Sequence, residues 1–107
     1  MPRENQTNNK IRDMEIVLKE QDAKGAAIAM VDEKRAGAMT YSIASKELII
    51  IDHTEVAPEY NGLSLGKHML YKIVEMAREK NIKIIPLCPF ASAMFKKTED
   101  IQDVLKS

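Results

Sequence analysis

The chain holds a single cysteine, Cys88, in the run Leu87-Cys88-Pro89. Proline fits the first position of a helix, where a missing N–H costs nothing, so Cys88 falls at the residue that caps it. A thiolate there accepts the N–H groups of Phe90 or Ala91, and the helix dipole favours its negative form. Cys88 is therefore a candidate nucleophile, although the same place also suits a structural cysteine packed between Leu87 and Phe90. His53 and Glu55 are the other candidate catalytic residues. Histidine titrates where a proton must move at neutral pH. Glu55 has the chemistry to orient His53, to deprotonate an amine directly or through water, or merely to cap a loop. His53, His68 and Cys88 lack close ligand spacing, so no metal is expected.

The second feature is residues 53–66, HTEVAPEYNGLSLG. A polar strand end runs into a turn and the turn opens a helix, whose first N–H groups have no partner within it. Such a helix start accepts a phosphate. Gly62 and Gly66 remove two Cβ atoms where a ligand approaches the backbone, and Lys67 and His68 add charge nearby. The bland alternative is a tight turn at Gly62 and close packing of Gly66 on the sheet. The spacing is neither a dinucleotide fingerprint nor a P-loop, since His68 stands where a P-loop needs Ser or Thr. Val56 and Ala57 precede Pro58, where ladder pairing stops, and an unpaired strand end can bond an extended amide-bearing chain. One strand end plus one helix start describes coenzyme A better than free phosphate. The candidate binding residues are Val56, Ala57, Asn61, Gly62, Leu63, Ser64, Leu65, Gly66 and Lys67. Tyr60, in the turn, is expected to cover the ligand or donate its hydroxyl to it.

The elements that must position these groups follow from periodicity. Residues 14–19 alternate as an edge strand with Ile16 and Leu18 on one face. Residues 25–31 form a second strand, small on one face with Ile28 and Met30 on the other. A polar turn at 32–34 leads to residues 36–44, where Met39, Tyr41 and Ile43 oppose Ala38, Thr40 and Ser42. Residues 46–56 are the strongest strand, and Leu48 to Ile51 are apolar on both parities, as in a central strand. Unbroken alternation puts His53 and Glu55 on the face of Ile49 and Ile51. Short turns make these four pieces an antiparallel meander.

From Leu65, the positions Leu65, Met69, Leu70, Ile73, Met76 and Ala77 carry helical spacing, with Asn81 as C-cap. Residues 82–87 return as a strand, and the helical crossover makes its pairing with 46–56 parallel. Thr98, with Glu99 and Asp100, starts a last helical turn held by Ile101, Val104 and Leu105. Tyr41 and Tyr71 read as half-buried packing residues. The class is α+β, with a mixed, mostly antiparallel sheet and packed helices.

Composition narrows the partners. In 107 residues, 30% are charged and the net charge is zero, which gives no general attraction to nucleic acid or acidic membrane. One cysteine excludes an internal disulfide. No stretch is long and apolar enough to span a membrane, and the start lacks the order of a signal peptide, so a cytoplasmic location is expected. Residues 1–10 are polar and read as a flexible tail; residues 11–107 read as one domain.

The residues from His53 to Phe90 resemble the small, single-domain members of the Gcn5-related N-acetyltransferase superfamily, its compact YjdJ-like group. HTEVAPEYNGLSLG is similar to that group's strand, turn and coenzyme-binding motif, and IIPLCPFASAMFKK to its cysteine-containing segment. The family's loop reads Arg/Gln-x-x-Gly-x-Gly/Ala. Here Asn61 takes the basic or amide position, Ser64 the middle glycine, and Gly66 keeps the last. The resemblance implies a truncated acetyltransferase-like fold, acetyl-CoA or coenzyme A as cofactor, and Cys88 near the acyl thioester. It also implies an acetyl-CoA-dependent N-acetyltransferase working on a small-molecule or protein amine, by direct transfer or through an acyl-cysteine intermediate. The alternative is a non-catalytic acyl-CoA-binding module. A chain ending before the last strands of larger relatives leaves an open cleft or one completed by a second subunit, hence a homodimer as a further expectation.

Overall fold

The computed structural model describes residues 13–106; the flexible tail expected over 1–10 lies outside them. Five strands form one sheet in the order β1 (Met14–Gln21), β2 (Lys24–Val31), β3 (Lys34–Ser45), β4 (Leu48–Val56) and β5 (Lys83–Pro86). The first three pairings are antiparallel and β4–β5 is parallel, as the meander and crossover required. Asp32 and Glu33 both take positive φ (51° and 68°), the twist a two-residue hairpin needs. Helix α1 (Leu65–Lys80) makes the crossover and α2 (Pro89–Lys97) follows β5. Short 3₁₀ turns occupy Pro58–Tyr60 and Glu99–Val104.

Both helices serve one core. Met69, Leu70 and Ile73 of α1 and Ala91, Met94 and Phe95 of α2 join a cluster with Ala27, Ala29, Met39, Tyr41, Ile49, Ile51 and Ile84 of the sheet. The bulky helix side chains explain why β2 turns its small face inward and leaves Ile28 and Met30 half-buried. Leu48 and Ile50 are likewise only half-buried. The apolar run in β4 thus marks a central strand in the sheet but not one covered on both faces.

Two expectations about single residues need correction. Tyr41 is fully buried, and its hydroxyl donates to the Glu20 carboxylate at 2.6 Å. It fits because its cross-strand neighbour is Gly25, where a Cβ would stand 2.3 Å from the ring. Thr98 precedes the last 3₁₀ turn without a side-chain cap. That turn is held instead by the Arg78 guanidinium, which donates to both Asp103 carboxylate oxygens (2.8 and 2.9 Å) and to the Asp100 carbonyl. Asn81 closes α1 in the left-handed conformation, with its N–H on the Ala77 carbonyl.

Candidate active site

A bulge in β4 fixes which side chains face the core. Thr40 pairs with His53 but Tyr41 pairs with Ile51, so one residue, Asp52, is extra. An extra residue breaks the two-residue alternation and turns the rest of the strand over. Thr54 therefore joins the face of Ile51, while His53 and Glu55 are exposed on the other side. This overturns the expectation that they share the face of Ile49 and Ile51. Glu55 pairs with Arg35 at 3.2 Å, and Asp52 accepts from the Ser42 hydroxyl at 2.8 Å.

The backbone beyond the bulge has a definite polarity. The Ala57 N–H donates to the Ala36 carbonyl at 2.9 Å. Hydrogen-bonding positions alternate along an antiparallel pair, so Glu55 turns its N–H to β3, while Thr54 and Val56 turn theirs away. They point toward the β5 side, where pairing has ended at Ile51 and Pro86. The N–H groups of Leu87 and Cys88 both close on the Ile51 carbonyl, at 3.0 and 3.2 Å, and the chain then turns into α2. The strands diverge, and the Thr54 and Val56 amides face the gap. The Val56 N–H, expected to bind, is thus turned to the gap, whereas the Ala57 N–H is committed to the ladder.

Cys88 sits at the mouth of this gap. It caps α2 as the proline foretold, its Sγ accepting from the Ala91 N–H at 3.4 Å. The same sulfur lies 3.1 Å from Thr54 Oγ1. Cys88 is 4% exposed, whereas its neighbours Leu87 and Phe90 are 66% and 38% exposed. Thr54 is the functional candidate that sequence reasoning missed. Only the bulge brings it inward, and no local signal in the strand marks an extra residue.

The turn from β4 to α1 supplies the second half. Gly62 has φ +92° and open space around it. Ser64 is left-handed (φ 59°) and its hydroxyl makes no cap bond. The first helical bond runs from His68 N–H to the Ser64 carbonyl at 3.1 Å, so the helix offers no partner to the N–H groups of Leu65, Gly66 and Lys67. A Cβ on Gly66 would lie 2.7 Å from the Phe90 ring, so this glycine packs closely against α2. The Asn61 N–H is taken by the Pro58 carbonyl at 3.1 Å, and the residue is exposed. Leu63 packs partly against the core, and Tyr60 is buried within it. Lys67 and His68 are exposed in the first turn. Among the described residues no group of three His, Cys, Asp or Glu side chains is placed to hold a metal ion, and no helix is long and apolar enough to cross a membrane.

A parallel strand pair that splays after a bulge, leaving two amides outward beside a helix start, defines a class of fold that comparison confirms. Residues 26–104 match the family model described as GCN5-related N-acetyl-transferase. The chain belongs to the GCN5-related N-acetyltransferase family. It is similar to the solution structure of a GCN5-like candidate N-acetyltransferase from Staphylococcus aureus, at 35% identity over 85% of this chain and 88% of that one, with a TM-score of 0.64. The fold is shared with a ribosomal-protein-alanine N-acetyltransferase from Brucella melitensis biovar Abortus 2308 (16% identity, 73% of this chain and 62% of that one, TM-score 0.61). It is shared also with an acetyl-CoA-bound GNAT family acetyltransferase from Elizabethkingia anophelis (14% identity, 73% and 52%, TM-score 0.56). The comparison with curated proteins gave no significant match.

Proposed function

We propose that residues 11–107 form one acyl-CoA-binding domain that transfers an acetyl group from acetyl-CoA to an amine. The observation that carries this reading is the opening between β4 and β5, with the Thr54 and Val56 amides outward and Cys88 beside them. The residues present fit coenzyme A. The N–H groups of Leu65, Gly66 and Lys67 suit its pyrophosphate, with the Ser64 hydroxyl and Asn61 amide near it. The outward strand amides suit the amide groups of its pantetheine arm. Acetyl-CoA, when bound, supplies an acetyl thioester.

Backbone N–H groups near Val56 that the pantetheine arm does not take would polarise the acetyl carbonyl, and their fixed orientation would cost no rearrangement during the reaction. His53 and Glu55, on the solvent side of β4, accept the proton of the attacking amine directly or through water. This is direct transfer, in which the amine nitrogen would bond the acetyl carbon as that carbon's bond to the coenzyme A sulfur breaks and coenzyme A leaves as a thiolate. The place of Cys88 Sγ at the α2 cap and 3.1 Å from Thr54 Oγ1 favours a second route. There the sulfur would give up its proton and take the acetyl group while coenzyme A leaves as its thiol, before the amine displaces the cysteine sulfur. The exposure of His53 and Glu55 away from the sulfur favours a third reading, a module that binds acyl-CoA without turnover. The remaining parts of the proposal are a small-molecule or protein amine as acceptor, no nucleic acid or membrane partner, a cytoplasmic location, and a second copy of the chain.

The test is a titration with acetyl-CoA beside free CoA, then release of CoA in the presence of an amine panel, with intact-mass measurement. Direct transfer predicts CoA release only with an amine and retained turnover in Cys88→Ala. A mass gain of one acetyl group lost in Cys88→Ala establishes the covalent route. Binding without release in any amine leaves the non-catalytic module, and no binding at all refutes the proposal.

A further inference from the structure

The outer edge of β1 carries a pattern that matches itself. The Asp32 N–H donates to the Asp13 carbonyl at 2.8 Å, which makes Asp13 and Asp32 a hydrogen-bonding pair. The β1–β2 register then puts Glu15, Val17 and Lys19 in bonding positions toward β2. By alternation Met14, Ile16, Leu18 and Glu20 turn their N–H and C=O groups outward, where no described strand pairs with them. Ile16 and Leu18 pack partly against the core, whereas Glu15 and Lys19 are exposed on the opposite face.

We propose that a second copy of the chain adds to this edge, antiparallel about a two-fold axis at Val17. The proposal rests on the two-copy part of the function above and not on acyl transfer. Hydrogen-bond parity allows only registers that pair even residues with even ones, because the outward groups belong to even positions. Among those, the register centred on Val17 pairs Ile16 with the partner's Leu18 and, in both directions, Glu15 with the partner's Lys19. The charged pairs fall at non-hydrogen-bonded positions, where side chains approach most closely. Centring on Ile16 would instead place Glu15 against Val17 and leave Lys19 opposite Asp13, and centring on Leu18 would place Lys19 against Val17, so only the Val17 register pairs Glu15 with Lys19. Like parity also puts the helices of both copies on one face of a ten-stranded sheet. A groove of about 570 Å³ beside β1, lined by Ile16, Tyr71, Lys72 and Glu75, leaves room there for the inward side chains of the partner.

The experiment is sedimentation velocity of the full chain over a range of concentrations, for wild type, Glu15→Lys, Lys19→Glu and the double variant. Both residues are exposed and face uncharged neighbours, Met30 and Ala26, on β2, so the single changes spare the fold. The wild type is expected as a dimer. Each single variant turns two attractions into two repulsions and weakens association about thirtyfold, and the double variant restores it. A monomeric wild type, as would follow if residues 1–12 cover the edge, overturns the proposal. So does a dimer indifferent to the single changes, which would join through another surface. Single variants that dissociate without rescue in the double variant overturn the register.

Discussion

Gly37→Ala tests whether the end of β4 must keep its backbone where it is. Gly37 lies opposite Val56 on β3, and a Cβ there would stand 2.7 Å from the Glu55 carbonyl oxygen and 3.3 Å from the Val56 Cα. The obstacle is backbone already committed to the ladder, so no side chain can swing aside. Forcing atoms into such a contact costs about 1–3 kcal/mol, while removing glycine from the unfolded chain returns about 0.4–1 kcal/mol. The expected net loss is about 1–2 kcal/mol, read as a fall in melting temperature of about 5–15 °C. Displacement of the Val56 N–H should also weaken a hydrogen bond of about 1 kcal/mol to the coenzyme, a loss of roughly fivefold in affinity. Thermal denaturation and calorimetric titration with acetyl-CoA measure the two effects. A variant as stable as wild type, with unchanged affinity, would refute the claim that Val56 is held at a fixed position for binding.

Two further outcomes follow from single residues. Burial first, and then the hydrogen bond and charge of Glu20, raise the Tyr41 phenol above its ordinary pKa. The unfolded chain then ionises before the folded one, so stability is full below about pH 10 and falls as pH rises beyond it; urea melts of Tyr41→Phe should lose that alkaline dependence and about 1 kcal/mol at neutral pH. Ser64 pays for a left-handed backbone that glycine adopts freely, so Ser64→Gly should raise stability by about 0.5–1 kcal/mol in the same melts, and a decrease would contradict the strain argument.

Much of this was legible from residue order because local rules and global packing agree. The helical spacing from Leu65 to Ala77, the Asn81 cap and the Cys88-Pro89 helix start each depend on neighbours a turn away, and each appears as read. The parallel pairing of β5 followed from the need for a crossover. The reading failed where a long-range register decides. Alternation assumes an unbroken strand, and the extra residue at Asp52 reverses every side chain after it, carrying Thr54 inward and His53 and Glu55 outward. Likewise the fate of the Ala57 amide depends on Ala36, 21 positions earlier in the chain, which no local pattern near the turn records. Tyr60 sits in a polar turn, yet the 3₁₀ geometry of Pro58–Tyr60 sends its ring into the core.

The most direct measurement is a ¹⁵N-labelled titration of the chain with acetyl-CoA, following every backbone amide by NMR. The largest shifts should fall on Thr54 and Val56, on Leu65, Gly66 and Lys67, and near Cys88, with Ala57 changing less because its N–H is held by Ala36. Shifts gathered on the far end of the sheet around Lys24 and Ser42, or none at saturating acetyl-CoA, would contradict the assignment of the gap between β4 and β5 as the binding site.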